Sequence, residues 1–198
     1  MTNSVVQSPE GAAGKPAGKR QRLIAAASQL LHQQGVEKTT LADIAQAADV
    51  PVGNVYYYFK TKDDIIAAVV EAHVQRAKAA LASIDGSHSS PKSRLKALVA
   101  EYADQGEVIA LYGCPYGSLC SELDKRPASP GFALAELMRV PIAWAEEQFR
   151  ALGHRDARDL AVSLIAAYEG SALLANTFRD PDILAREARR LNRWIDTL

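Results

Sequence analysis

The sequence predicts an all-α protein of about nine helices. Apolar residues recur at helical spacing from Arg20 to the C-terminus, and no segment alternates as a half-buried strand would. The periodic segments are rich in Ala and Leu, which lose little on entering a helix. Ser, Thr and Asp stand at their starts, three times with proline next, as helix N-termini require. The expected organisation is an arm over residues 1–17, a three-helix helix-turn-helix unit over 18–62, and a larger helical body over 63–198.

Residues 1–17 are rich in Gly, Ala, Pro and Ser without apolar periodicity, the composition of a disordered arm. In the first helix Leu23, Ile24, Ala27, Leu30 and Leu31 share a face, and Gly35 supplies a stop with positive φ. Thr40 with Asp43 makes a capping box for the second helix, and Thr61 with Asp64 makes another for the fourth. Ser90-Pro91, Ser129-Pro130 and Asp180-Pro181 each place a capper before proline and mark three later starts. Asp156 with Asp159, after Gly153, marks the start of the penultimate helix. Pro141 falls inside Phe132–Leu152 and predicts a kink near Leu137.

Composition narrows the function. Nearly half of the 198 residues are apolar, enough for a sizeable core. No uninterrupted run of about 18 apolar residues occurs, and the N-terminus has no signal-peptide core, so the expectation is a cytoplasmic protein without a membrane partner. Cys114 and Cys120 are too few for a disulfide framework and lack the companions of a zinc site, so no metal and no cofactor is expected. The net charge is zero but unevenly placed: through Lys62 there are seven Lys or Arg against four Asp or Glu, leaving that segment +3 and the remainder −3. A weakly basic head on an acidic body suits local contact with DNA.

The segment from Thr40 to Asp64 carries the strongest signal. Leu41, Ile44, Ala45 and Ala48 form the apolar side of a short helix, and Val50, Val55 and Phe59 form that of the next. Asp49 takes the tight turn between them, where Asp tolerates positive φ better than most residues. This is the pattern of a helix-turn-helix whose second helix, from about Pro51 to Tyr58, enters the DNA major groove. Val52, Gly53, Asn54 and Tyr57 are the candidates to meet bases, with Asn54 the polar reader. Arg20, Lys60 and Lys62 are further DNA-binding candidates. A plain aromatic helix end is the alternative reading of Tyr56-Tyr57-Tyr58-Phe59 taken alone.

The pieces T-T-L-A-D-I-A-Q-A-A, V-G-N-V-Y-Y-Y-F-K and T-K-D-D-I-I, within Arg20 to about Val70, resemble the N-terminal domain of the tetracycline-repressor (TetR) family. The resemblance implies that Thr40, Tyr57 and Lys62 meet the phosphate backbone, that Tyr56 and Phe59 pack the small domain, and that the protein is a dimeric, ligand-responsive transcriptional regulator, usually a repressor. The sequence departs from the family at Asp49, where glycine is common, and at Pro51, where a capping Ser or Thr is common and would add a phosphate contact. Val52 is apolar where a polar or basic residue is frequent, which shifts reading toward thymine methyl groups and onto Asn54.

The body is larger than the head needs for its own stability. The resemblance implies that it encloses a small-molecule effector, and Tyr102, Tyr112, Tyr116, Met138, Trp144, Phe149, Tyr168 and Phe178 are the aromatic and methionine candidates for its walls. Ordinary core is the competing reading of each. The segment Tyr112 to Leu123 interrupts helical composition and resembles a G-C-x-x-G-x-L-x-x-E-L stretch found beside the pocket in one branch of the family. Cys114 and Cys120 within it either shape the effector site, sense oxidants or electrophiles, or are simply small buried residues. On the last two helices, Leu160, Leu164, Ala167, Ser171 and Leu174, then Leu191, Trp194 and Ile195, form apolar faces. The resemblance implies a two-fold four-helix interface there, with a homodimer suited to a palindromic operator in double-stranded DNA; closure of the monomer core is the other reading.

Two other classes fit less well. A helical enzyme lacks support, since His32, His73, His88 and His154 are scattered and no nucleophile–base pair, metal motif or phosphate loop appears. A non-specific architectural DNA binder would need a far more basic chain.

Overall fold

The computed structural model describes residues 18–125 and 132–198. The arm and the Ser129-Pro130 start fall outside them. Among the described residues there are ten helices and no strand: α1 (Lys19–Gln34), α2 (Leu41–Ala47), α3 (Val52–Tyr58), α4 (Lys62–Ser87), α5 (Pro91–Asp104), α6 (Gly106–Tyr112), α7 (Pro115–Leu123), α8 (Phe132–Ala151), α9 (Ala157–Phe178) and α10 (Asp182–Thr197). Only Gln105 separates α5 from α6, so the expectation of about nine holds when those two are counted as one interrupted helix.

The local signals do their expected work. Thr40 and Thr61 each accept from the backbone N–H three residues on, and Asp43 and Asp64 each accept from the backbone N–H of the cap. Ser90 caps α5 with Pro91 at its start. Gly35 ends α1 at φ 84°, a backbone few side chains tolerate. Two starts differ in detail. Asp156 precedes α9 but its side chain makes no capping bond; its carboxylate lies 4.0 Å from the His154 ring instead. Asp180 caps α10 one position early, its carboxylate accepting from the Asp182 backbone N–H at 2.9 Å, with Pro181 preceding the first helical residue. Pro141 lies inside α8.

The long α4 joins the two halves of the molecule. Its first turns pack Ile65, Ile66, Val69, Val70 and Val74 against α1, α2 and α3, and this core continues into the body through Leu119 and Leu123 of α7 and Leu134 and Leu137 of α8. Its last turns place Leu81 and Ile84 in a second core with α5, α8, α9 and α10, around Phe149, Leu164 and Ile195. The head therefore has no separate core beyond residue 62. α9 is long and apolar enough by composition to cross a membrane, but α6, α8 and α10 pack against it and eight of its residues are buried within the fold.

Candidate nucleic-acid interface and effector cavity

The head's geometry begins at Asp49, which sits at φ 51° and lets α2 turn sharply into α3. Ile44, Ala45, Ala48, Val50, Val55 and Phe59 are buried behind the turn. The opposite side of α3 is open: Val52 is 46% exposed and Tyr57 79%, with Gly53 also exposed and Asn54 half-buried. Pro51 makes no side-chain cap, as expected from its chemistry. Tyr56 corrects one expectation: it is exposed, while Tyr58 is the half-buried ring that packs on the head core beside Phe59. The offset follows from α3, which turns Val55 and Phe59 inward four residues apart and leaves Tyr56 one step round the helix.

The basic candidates surround that open face with different degrees of freedom. Arg20 is exposed, its guanidinium 5.4 Å from the centre of the Phe59 ring. Lys60 donates from Nζ to the Tyr56 carbonyl at 2.7 Å. Lys62 is half-buried, with Nζ 3.4 Å from the Glu37 carbonyl. Thr40 keeps its side chain engaged in the α2 capping box on the surface.

In the body, helices α1, α4, α5, α7, α8 and α9 surround a cavity of about 460 Å³. Of the candidates for an effector site, Tyr102, Cys114, Tyr116, Met138 and Tyr168 line it. Tyr112, Cys120 and Trp144 do not. Tyr112 is turned outward with its edge on His32. Cys120 packs on the head-side core, and its thiol faces the Leu134 carbonyl. Trp144 is buried in the second core and donates from Nε1 to Asp85 at 3.0 Å. Phe149 is likewise core, and Phe178 is exposed.

Polar lining was the part not foreseen: Ser28, Gln29 and His32 of α1, His73 and Arg76 of α4, Glu101 of α5 and Glu169 of α9. One signal pointed to Glu169, the lone charged residue between Leu160 and Phe178. Tyr102 and Tyr168 stack at 3.8 Å between ring centres, and Cys114 donates its thiol proton to Glu169 at 3.2 Å. Burial and the facing carboxylate push the Cys114 thiol up to about 12, and burial raises both tyrosines and the Glu169 carboxyl. The thiol and the two tyrosines therefore hold their protons at neutral pH. Burial drives His73 down to about 4, so the ring is neutral at pH 7, 3.2 Å from the Ser28 hydroxyl and edge-on to Tyr116. Among the described residues no group of metal-ligating side chains assembles.

Two contacts tie α1 to the body and a third ties the turn after it. Ser28 meets His73, the His32 ring N–H donates to the Gly113 carbonyl at 2.8 Å, and Glu122 of α7 accepts from the Val36 backbone N–H at 2.6 Å. A side chain at Gly35 would press on that Glu122 carboxylate, 3.0 Å from the nearest oxygen.

Of the residues expected on a dimer face, most lie inside the subunit and Leu174 is exposed. Leu164, Leu191 and Ile195 are fully buried within the subunit and Ser171 is buried with its hydroxyl on the Tyr168 carbonyl, while Trp194 packs on Phe149. Leu160 and Ala167 are partly buried against the same core. Helix periodicity leaves the other side of α9 open, with Val162, Ala166, Gly170, Leu173 and Leu174 exposed.

Residues 23–69 match the family of bacterial regulatory proteins, tetR family. The chain is 29% identical over 181 residues to the uncharacterized HTH-type transcriptional regulator in the lacX 3' region of Lactococcus lactis, covering 83% of this chain and 87% of that one. It is 29% identical over 182 residues to the HTH-type transcriptional regulator BetI of Paraburkholderia phymatum, covering 91% and 92% respectively. The regulatory protein TetR of Rhodobacter sphaeroides superimposes with a TM-score of 0.77 at 28% identity, over 88% of this chain and 97% of its own. With an open recognition helix and a cavity in one all-helical frame, the chain carries the helix-turn-helix domain of the tetR family of bacterial regulatory proteins over residues 23–69 and is similar over most of its length to helix-turn-helix transcriptional regulators.

Proposed function

We propose that the protein is a cytoplasmic homodimeric repressor that binds a palindromic operator through α3 and releases it when a small molecule fills the cavity. One observation carries the coupling: Ala25, Ser28, Gln29 and His32 of α1, the helix that braces the reading head, form part of the cavity wall. A ligand there touches the head directly. It favours whichever head position its contacts prefer, and it shifts DNA affinity by no more than that preference. Residues 18–62 read DNA, and α4 carries the movement into residues 63–198. Thr40, Tyr57, Lys60, Lys62 and Arg20 hold phosphates, while Val52, Gly53 and Asn54 face the bases. The open side of α9 pairs with its copy, its small residues letting two helices approach closely.

The alternative of a thiol sensor has less support, because a reactive cysteine needs a lowered pKa and that of Cys114 is raised. Selection from a random DNA pool tests the main reading. An enriched palindrome is expected; absence of any enriched sequence would remove the claim of specific reading.

A further inference from the structure

Glu169 is the unresolved charge of the cavity. It is half-buried, and one of its oxygens accepts the Cys114 thiol while the other accepts no hydrogen bond among the described residues. A carboxylate offers about four acceptor positions, so most remain unused. No ion pair among the described residues includes it. Arg76, the one Lys or Arg among the lining residues, is exposed and acts on His73 and Tyr116. The first turn of α7 lies under the carboxylate: a side chain at Gly117 would sit 2.5 Å from its free oxygen. That helix end supplies roughly half a positive charge, which favours ionisation without neutralising it. Gly117 thus keeps open the space in which the charge stands.

The rings of Tyr102, Tyr116 and Tyr168 line the same cavity, and aromatic rings hold positive charge better than negative. Uncompensated negative charge in a partly enclosed cavity is costly, and a ligand that brings the opposite charge recovers part of that cost. Resting on the reading of this cavity as the effector site, we propose that its ligand is an organic monocation with an apolar or aromatic body, its positive group seated between Glu169 and the tyrosines.

The test uses the full chain and three probes of similar size: benzyltrimethylammonium, its neutral carbon isostere neopentylbenzene, and the anion phenylmethanesulfonate. Calorimetric titration gives the affinities for the wild type, Glu169→Gln, and Glu147→Gln as a control at an exposed acidic residue of α8 outside the cavity lining. The cation-to-neutral affinity ratio is expected to fall about tenfold in Glu169→Gln and to stay within about twofold of wild type in Glu147→Gln. In the wild type alone, which needs no variant to fold, the anion is expected to bind at least about tenfold more weakly than the cation. A ratio unchanged by Glu169→Gln, an anion bound as well as the cation, or no cation binding at millimolar concentration overturns the proposal. Operator affinity, read separately by fluorescence anisotropy, keeps the two readings apart. Selective cation binding that leaves DNA affinity unchanged supports this site and removes ligand-driven release. Release by a ligand with no cation preference does the reverse.

Discussion

Burial decides which side chains around the cavity can change charge. His73 keeps its proton off down to about pH 4, chiefly through loss of solvent, with Arg76 and His32 adding like-charge repulsion. Unfolded, the same ring takes up a proton near its ordinary value of 6.5. Between those values the unfolded chain binds more protons, so stability is intact above pH 6.5 and is lost as pH falls toward 4, by about 3 kcal/mol in all. Urea unfolding across that interval should show this slope, and His73→Gln should remove most of it; an equal slope in the variant would assign it to another group. Cys114 should resist iodoacetamide at neutral pH, reacting on the order of a hundredfold more slowly in the folded than in the unfolded chain, as followed by mass spectrometry. Rapid labelling of the native protein would restore the thiol-sensing reading. In the head, Asn54→Ala should reduce discrimination between operator and random DNA, whereas Lys62→Ala should weaken both alike and reduce the salt slope by about one. Identical behaviour of the two variants would reject the division between base and phosphate contacts.

Capped helices were the most legible elements, because a capping box needs only residues three apart. Thr61→Ala removes the acceptor for the Asp64 backbone N–H at the start of α4 and should cost about 1 kcal/mol, lowering the melting temperature by about 2–4 °C. Calorimetry showing no change would mean that packing of Ile65 and Ile66 alone fixes that end. Helix phase was harder to read. α9 has apolar residues nearly all round, so its sequence shows that it is buried without showing which side faces its own subunit. Leu164 and Leu174 looked equivalent as a stripe, yet one is fully enclosed and the other is 48% exposed. The cavity failed to show itself for a related reason. Aromatic residues were sought as its walls, but Trp144 and Phe149 had core to fill, and much of the lining came from isolated polar residues that each resemble an ordinary solvated position.

For the whole molecule, the open face of α9 predicts an oligomer. Exposed Val162, Leu173 and Leu174 form an apolar stripe with Gly170 within it, more than a monomeric surface ordinarily leaves uncovered on one helix. Light scattering should give twice the chain mass at micromolar concentration, and Leu173→Glu should give the single mass while its far-UV circular dichroism keeps the helical signature. A wild-type monomer would remove the two-fold head arrangement with it. Movement of α4 belongs to the same scale: spin labels on the two recognition helices should report different separations with and without ligand. Unchanged distances would place the signal in head rigidity instead.

The shared wall of α1 has a consequence for the ligand as much as for the DNA. One helix serves as brace for the reading head and as lining for the cavity, so each occupant pays toward the position the other prefers. Thermodynamic reciprocity then fixes their relation. Whatever factor the ligand takes from operator affinity, the operator must take from ligand affinity. Protein parked on its operator should therefore be a poorer receptor than protein free in solution, and the ligand concentration that triggers release should rise with the number of operator copies the cell contains.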